Sequence, residues 1–236
     1  MFPAEALTFF RNLARNNDRE WFQPRKEVFE TKVKAPMIEL IERINAELGR
    51  FAPQYVNDPK KALYRIYRDT RFSSDKTPYK THIAAIFPRR GSESKHAGPG
   101  LFFAVSHTGI EVAGGVYGPT PEDLFKIRTW LAENHQSFSK IARGPVKLMG
   151  ELRGGKLTRV PKGFDSEHPA ADLLKMKQWY YGAELDAKIA TTPKLTAELV
   201  KRFKVMLPVL EELAKPLAGK KKAAGWGGLP SPRAGF

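Results

Sequence analysis

Cysteine is absent from the 236 residues of the chain. Its absence excludes disulfide bonds, zinc–thiolate sites, iron–sulfur clusters and a thiol nucleophile, and it is typical of a reducing compartment. Long apolar runs are absent too, since no stretch approaches the ~20 residues that a membrane-spanning helix needs. The opening sequence MFPAEALTFFRNLARNND meets charge too early to supply the apolar core of a signal peptide. We therefore expect a cytoplasmic protein that has no membrane partner.

Acidic residues are outnumbered by basic ones, 25 against 40, and the net charge of +15 favours an anionic partner. With 42% hydrophobic and 11% aromatic residues, the chain can still bury a substantial core. We predict one domain over residues 1–216, followed by a basic, Gly/Pro-rich and flexible tail over residues 217–236. The basic residues from position 215 onward, where no acid occurs, are Lys215, Lys220, Lys221, Lys222 and Arg233.

The spacing of apolar residues changes from a helical period in the first fifty residues to alternation in the segment that follows. Short β-branched and aromatic runs there indicate four strands, at Tyr64–Asp69, Thr81–Phe87, Leu101–His107 and Ile110–Tyr117. No helical pattern separates them, which favours one antiparallel sheet over a doubly wound parallel sheet. The sequence therefore predicts a single-domain α+β fold in which helices flank an antiparallel sheet of four or more strands.

Helix-capping residues flank these strands on both sides. Asn17 is suited to cap an early helix, and Thr120 precedes a proline and an acidic first turn. The run HPAADLLKMKQWYYG predicts a further helix that ends at Gly182. Thr192 is suited to cap a long amphipathic helix near the end of the domain.

Motifs of catalytic and cofactor sites are largely missing. The sequence GELRGGKL nearly matches a phosphate-binding loop, but Leu157 replaces the required hydroxyl residue and a strand-like run follows it. The five histidines have no paired spacing on one element, so we predict no metal site. No serine lies in a glycine-flanked elbow. The sequence predicts no cofactor and leaves open whether the protein is an enzyme.

The stretch YRIYRDTRFSSDKTPYK, from Tyr64 to Lys80, combines five cations with two acids and four aromatic residues. Guanidinium groups bind phosphate or carboxylate through two parallel hydrogen bonds, and a tyrosine adds a neutral donor. Since two acids cannot neutralise five cations, we predict a site for a phosphorylated or carboxylated small molecule. Asp69 and Asp75 are predicted to orient the arginines. The predicted anion-binding residues are Arg65, Arg68, Arg71, Lys76, Tyr79 and Lys80.

Two other interpretations of this stretch stay open. Its cations, together with Arg89, Arg90 and the tail lysines, also fit a nucleic-acid-binding module in which aromatic side chains stack on bases. Alternatively, Asp69 and Asp75 each lie among cations and form a structural ion-pair network in a scaffold protein. The chain contains no recognised nucleic-acid motif, which favours the small-molecule site. The sequence predicts no oligomeric state.

Four segments occur in the order NNDREWF, YRIYRDTRFSSDKTPYK, AGGVYGPTPEDLFKIR and LTRVPKGFDSEHPAADLLKMK. Together they resemble a bacterial and fungal family of uncharacterised proteins known as domain of unknown function 2461. The resemblance extends from about Pro3 to about Leu213. It implies no particular activity and no catalytic residues, but it does imply that the charged stretch is the functional part of the chain.

Overall fold

The structure is a computed structural model that describes residues 1–71, 73–92 and 94–218. The α-helices are α1 (Ala4–Arg15), α2 (Arg19–Phe22), α3 (Lys26–Val28), α4 (Ala35–Phe51), α5 (Pro59–Ala62), α6 (Pro121–Ala142), α7 (Val146–Met149), α8 (Ala171–Lys175) and α9 (Lys194–Ala214). The strands are β1 (His82–Pro88), β2 (Pro99–Ser106), β3 (Gly109–Val116) and β4 (Trp179–Asp186). Short 3₁₀ turns lie at Gln23–Arg25, Pro53–Tyr55, Ala187–Thr191 and Lys215–Leu217, and a π-helical turn at Phe29–Lys34. The predicted basic tail lies outside the described residues from position 219 onward.

The N-terminal helices begin and end where local side chains complete their hydrogen bonds. Helix α2 is capped by Asp18, whose carboxylate accepts a hydrogen bond of 2.7 Å from the N–H of Trp21. The prediction that Asn17 caps this helix is therefore wrong by one residue. Asn17 binds the backbone of Tyr79 instead, 62 residues along the chain. The predicted cap at Thr120 is confirmed, because its hydroxyl accepts from the N–H of Asp123.

All four strands form one antiparallel sheet in the order β1–β2–β3–β4. One row of partners across the whole sheet is Ile86, Phe102, Ala113 and Gly182, with one residue from each strand. Three of the strand segments predicted from the sequence coincide with β1, β2 and β3 to within two residues. The helices around this antiparallel sheet confirm the predicted single-domain α+β class.

The predicted first strand, Tyr64–Asp69, is not a strand of this sheet. The N–H of Tyr64 donates to the carbonyl of Ala84 in β1 at 2.9 Å, but the residues after it turn away from β1. They turn because the segment pairs with its own continuation, where the N–H of Lys80 donates to the carbonyl of Ile66 at 2.8 Å. Residues 63–80 are consequently an irregular segment beside β1, and we call them the edge segment.

The fourth strand comes from the run that the sequence predicts as a helix ending at Gly182. Helix α8 stops at Lys175, and the residues from Trp179 to Asp186 extend as β4. Aromatic residues are favoured in strands, and alternation buries Trp179 and Tyr181 completely. Burial of these two side chains in the core favours the strand conformation, although the preceding residues have helical spacing.

The core lies between one face of the sheet and the long helix α9, against which α4 and α6 also pack. Phe203 of α9 packs edge-on against Phe87 of β1 at a centroid distance of 6.0 Å, and Phe87 stacks on Phe103 of β2 at 6.3 Å. The opposite face of the sheet is only partly covered, since Phe102 and Ala113 are half-buried and Glu111 is exposed. None of the described helices is both long and apolar enough to span a membrane.

Gly115 and Gly49 provide a matched test of this sheet geometry. Gly115 in β3 has φ of 146°, and a Cβ there would lie 2.1 Å from the carbonyl oxygen of Trp179. We expect Gly115→Ala to lower the free energy of unfolding by at least ~2 kcal/mol, because strain and overlap add. Gly49→Ala, in α4 with nothing within 4 Å of its Cβ, should raise the free energy of unfolding by ~0.5–1 kcal/mol. Urea denaturation measures both, and equal effects would contradict the β3–β4 register.

Candidate anion-binding site

The edge segment is fixed to the N-terminal helices by Asn17 and Tyr79. The side-chain amide of Asn17 donates to the carbonyl of Tyr79 at 2.9 Å, and its oxygen accepts from the N–H of Tyr79 at 3.0 Å. The ring of Tyr79 is 1% exposed and stacks on Phe22 with centroids 4.2 Å apart. Tyr79 was predicted as a donor to an anion. The structure places its side chain in the core, where it holds the neighbouring Lys80 in position.

Two of the predicted arginines form ion pairs with the two predicted aspartates. Arg71 binds Asp69 through two hydrogen bonds, of 3.0 Å from Nε and 2.8 Å from Nη2. Arg68 donates to the carboxylate of Asp75 and to the hydroxyl of Thr77. The side chains of Asp69 and Arg71 are 45% and 75% exposed, so water screens this pair and its effect on stability is small.

These contacts lower the pKa of both carboxyl groups. The pKa of Asp69 falls to about 2, because the side chain and the backbone N–H of Arg71 both donate to it. The pKa of Asp75 also falls to about 2, through the backbone N–H of Thr77 and then through Arg68. Lys76 is directed back into the loop, where its ammonium donates to the carbonyl of Thr70 at 2.9 Å. The two aspartates therefore match the charges of Arg68 and Arg71, and Lys76 closes the loop.

Arg65 and Lys80 are the predicted cations that remain. None of the ion pairs among the described residues involves either of them. The ammonium of Lys80 lies 5.0 Å from the ring centroid of Tyr64, and that of Lys95 lies 5.4 Å from the same centroid. Lys95 also donates to the carbonyl of Lys61. Two ammonium groups thus meet on one tyrosine ring, and neither forms an ion pair within the part of the chain that the structure describes.

His96 adds an imidazole ring to this group. Its ring stacks beside Tyr64 with centroids 5.8 Å apart, and its Nε2 lies 3.2 Å from the tyrosine hydroxyl oxygen. We call Tyr64, Arg65, Lys80, Lys95 and His96 the cationic rim. Sequence analysis missed Lys95 and His96, which come from the loop between β1 and β2. The signal was present in RRGSESKHAGPG, a polar loop with four basic residues and one acid.

The pKa values of the cationic rim reflect burial and mutual repulsion. Burial and then the charge of Arg65 lower the pKa of Lys80. Burial, Lys95 and Lys80 lower the pKa of His96, and burial and Lys80 lower that of the nearby His82. Burial raises the pKa of Tyr64 to about 12, which keeps its hydroxyl protonated. Lys80 and His96 therefore lie in a partly dehydrated setting with other cations nearby, while the charge of Arg65 also lowers the pKa of Asp69.

A groove of about 270 Å³ begins at the cationic rim and crosses the open face of the sheet. Tyr64, Lys95 and His96 line one side, and Tyr117 and Tyr180 line the other. Its floor is made of small residues, Gly100, Ala113 and Gly115, together with Ile86 and Phe102. Aromatic walls with a few polar groups at one end are typical of a small-molecule site.

Glu111 lines the groove on β3, opposite Glu184 of β4. Burial and the charge of Glu184 raise the pKa of Glu111, and the charge of Arg153 lowers it. None of the ion pairs among the described residues joins Glu111 to the cationic rim. The groove is consequently cationic at the β1 side, whereas on β3 and β4 two carboxylates are accompanied by the guanidinium of Arg153, 3.5 Å from the Cβ position of Gly182.

A second cavity, of about 210 Å³, lies beside Arg89 and Ser92. Arg89 is already bound there, because its guanidinium donates to Glu211 at 3.1 Å and 3.3 Å. This pairing leaves less charge for a ligand than the cationic rim does, so we assign the candidate site to the rim and groove.

Comparison with known proteins agrees with the resemblance seen in the sequence. Residues 5–211 match the model of a family described as conserved hypothetical protein DUF2461. The chain belongs to this family. Its matched region contains the edge segment, the sheet and nearly all of α9. None of the curated proteins matches the chain, so the function of this DUF2461 member has to be inferred from its geometry.

The two rim lysines should affect the histidines differently. Lys80 lowers the pKa of both His82 and His96, whereas Lys95 lowers that of His96 only. We expect Lys80→Gln to raise both histidine pKa values and Lys95→Gln to raise only the value of His96. Histidine resonances followed by NMR between pH 5 and 8 measure the shifts. A Lys95→Gln effect on His82 equal to that of Lys80→Gln would contradict this arrangement.

The aspartates of the edge segment offer a second titration. Arg71→Gln removes the side-chain hydrogen bonds to Asp69 but keeps the one from the backbone N–H. The pKa of Asp69 should rise from about 2, without regaining its ordinary value, while that of Asp75 stays low. Carboxyl carbon shifts measured by NMR provide the readout, and Asp75 is the internal control. If both values rise together, the two pairs form one coupled network.

Proposed function

We propose that this DUF2461 protein binds an anionic small molecule, phosphorylated or carboxylated, at the cationic rim. The observation that carries the proposal is the meeting of Lys80 and Lys95 on the ring of Tyr64, with no carboxylate paired to either among the described residues. Burial and then the charge of Arg65 lower the pKa of Lys80, so its ammonium lies in a partly dehydrated setting beside another cation. A bound anion relieves the repulsion between these cations and gains charge-assisted hydrogen bonds.

Each rim residue has a distinct part in this proposal. Lys80 and Lys95 act as point charges, and Arg65 offers a planar fork that can bind two oxygens of the anion. His96 adds a further donor, and an anion beside it favours its protonated form. Tyr64 supplies the surface on which the two ammonium groups are held.

The other residues predicted from the charged stretch support the site indirectly. Arg68 with Asp75, and Arg71 with Asp69, hold the loop through ion pairs. Lys76 closes the same loop by its hydrogen bond to Thr70. The structural ion-pair interpretation thus fits the middle of the stretch, and the anion-binding interpretation fits its two ends.

Sulfate is the appropriate first probe, because its charge stays constant between pH 6 and 8. We expect sulfate binding, measured by calorimetry at low ionic strength, to weaken about tenfold or more in Lys80→Gln, since a charge-assisted hydrogen bond contributes ~1.5–3 kcal/mol. Lys76→Gln is the matched control, and its affinity should change less than about twofold because an exposed, screened charge contributes little. Binding should also strengthen from pH 8 to pH 6, because protonation of His96 is coupled to occupancy.

Two results would overturn the proposal. One is the absence of binding by sulfate and phosphate at millimolar concentration. The other is tight binding of a single-stranded oligonucleotide whose affinity falls linearly on a log–log plot against salt, with several charges released, while sulfate fails to compete. That result would favour the nucleic-acid-binding module instead.

A further inference from the structure

We infer that the anion belongs to an aromatic compound, whose ring lies in the groove while its phosphate or carboxylate lies at the cationic rim. The inference rests on the proposed function, and it adds the chemical class of the ligand. Its occupant is one planar ring system, of one or two fused rings, because the groove volume is only about 270 Å³.

The floor of the groove is low where β2 meets β3, because Gly100 and Gly115 have no side chains there. Gly100 and Gly115 are direct partners across β2 and β3, and Ala113 is the partner of Gly182 across β3 and β4. Gly115 cannot be replaced without overlap, since its backbone has positive φ and lies against Trp179. The absence of side chains at Gly100 and Gly115 leaves room for a flat group to lie on the backbone.

Aromatic side chains stand on both sides of this floor. Tyr117 and Tyr180 form an edge-to-face pair with centroids 5.2 Å apart, and Tyr64 and Phe102 form another at 6.2 Å. Tyr117 is 58% exposed, which is unusual for so large a ring. A ring bound between the two pairs would bury this apolar surface and make favourable edge and face contacts.

Charge gives the groove a direction. The cationic rim lies beside β1 and β2, where Tyr64 packs on Phe102. Glu111 and Glu184 lie across from it on β3 and β4, and neither forms an ion pair among the described residues. An aromatic compound with one anionic group therefore binds with that group toward the rim, because Glu111 and Glu184 offset the charge of Arg153 at the other end.

Three probes distinguish the contribution of the aromatic ring to binding from that of the phosphate group. They are inorganic phosphate, methyl phosphate and phenyl phosphate. In the unmodified protein, phenyl phosphate should bind about tenfold or more tightly than methyl phosphate, as measured by calorimetry. Ala113→Leu places a side chain on the floor and should reduce phenyl phosphate to the affinity of methyl phosphate. Inorganic phosphate should bind equally to both proteins. Lys80→Gln should weaken all three phosphates by a similar factor.

Tyr117→Ala is the second groove variant, and folding is not at risk because this side chain is largely exposed. It should reduce the advantage of phenyl phosphate several-fold and leave methyl phosphate unchanged. Urea denaturation of each variant verifies that it is folded.

The outcomes distinguish the two proposals. Equal binding of methyl and phenyl phosphate to the unmodified protein overturns the aromatic ligand and leaves anion binding intact. If phenyl phosphate still binds more tightly than methyl phosphate in both groove variants, its ring does not lie in the groove. That result also overturns the inferred aromatic ligand. Failure of all three phosphates to bind overturns the proposed function itself. If Lys80→Gln does not weaken the binding of phenyl phosphate, its phosphate does not lie at the cationic rim. That result contradicts the inference that one ligand occupies both the rim and the groove.

Discussion

The hydrogen-bonded contact between Asn17 and the backbone of Tyr79 determines where the edge segment lies. The edge segment has no strand pairing along most of its length, so its position depends on a few long-range contacts. Two half-buried hydrogen bonds contribute ~1 kcal/mol each, and the buried ring of Tyr79 on Phe22 adds apolar burial. Because Lys80 follows Tyr79 directly, this contact also fixes the position of its ammonium over Tyr64.

Fixing the edge segment separates its charges into two groups. Asp69 and Asp75 neutralise the arginines of the loop, which projects into water. Lys80, which lies nearer the sheet, forms no ion pair among the described residues, and Lys95 and His96 join it there from another loop. Burial makes their repulsion stronger than it would be on an open surface, because water screens it less. The excess charge that is visible in the sequence is therefore concentrated beside the groove.

Local patterns in the sequence were sufficient to predict the α+β class and three strands, because alternation and turn residues act over short distances. They failed for Trp179–Asp186, where burial of Trp179 and Tyr181 in the core decides the conformation and a helical spacing precedes the strand. They also failed for Tyr64–Asp69. Its alternating residues resemble those of a strand, but most of the segment does not pair with the sheet. The surplus of cations was predictable by counting. The sequence did not predict which cations form no ion pair. Pairing depends on how Asp69 and Asp75 are placed and on a loop fifteen residues away.

The groove of the candidate site exists because the described helices leave one face of the sheet partly uncovered. Helix α9, against which α4 packs, supplies apolar cover for one face only, where Phe87, Phe103 and Phe203 meet. On the other face, glycine and alanine in β2 and β3 provide no side chains to fill the space between the two aromatic pairs. If stability were the only requirement, β-branched residues at the floor would cover this face better. Gly115 makes that solution sterically impossible at the centre of the floor, because β4 lies against it. The same backbone contact that joins β3 to β4 therefore keeps the groove open beside the cationic rim.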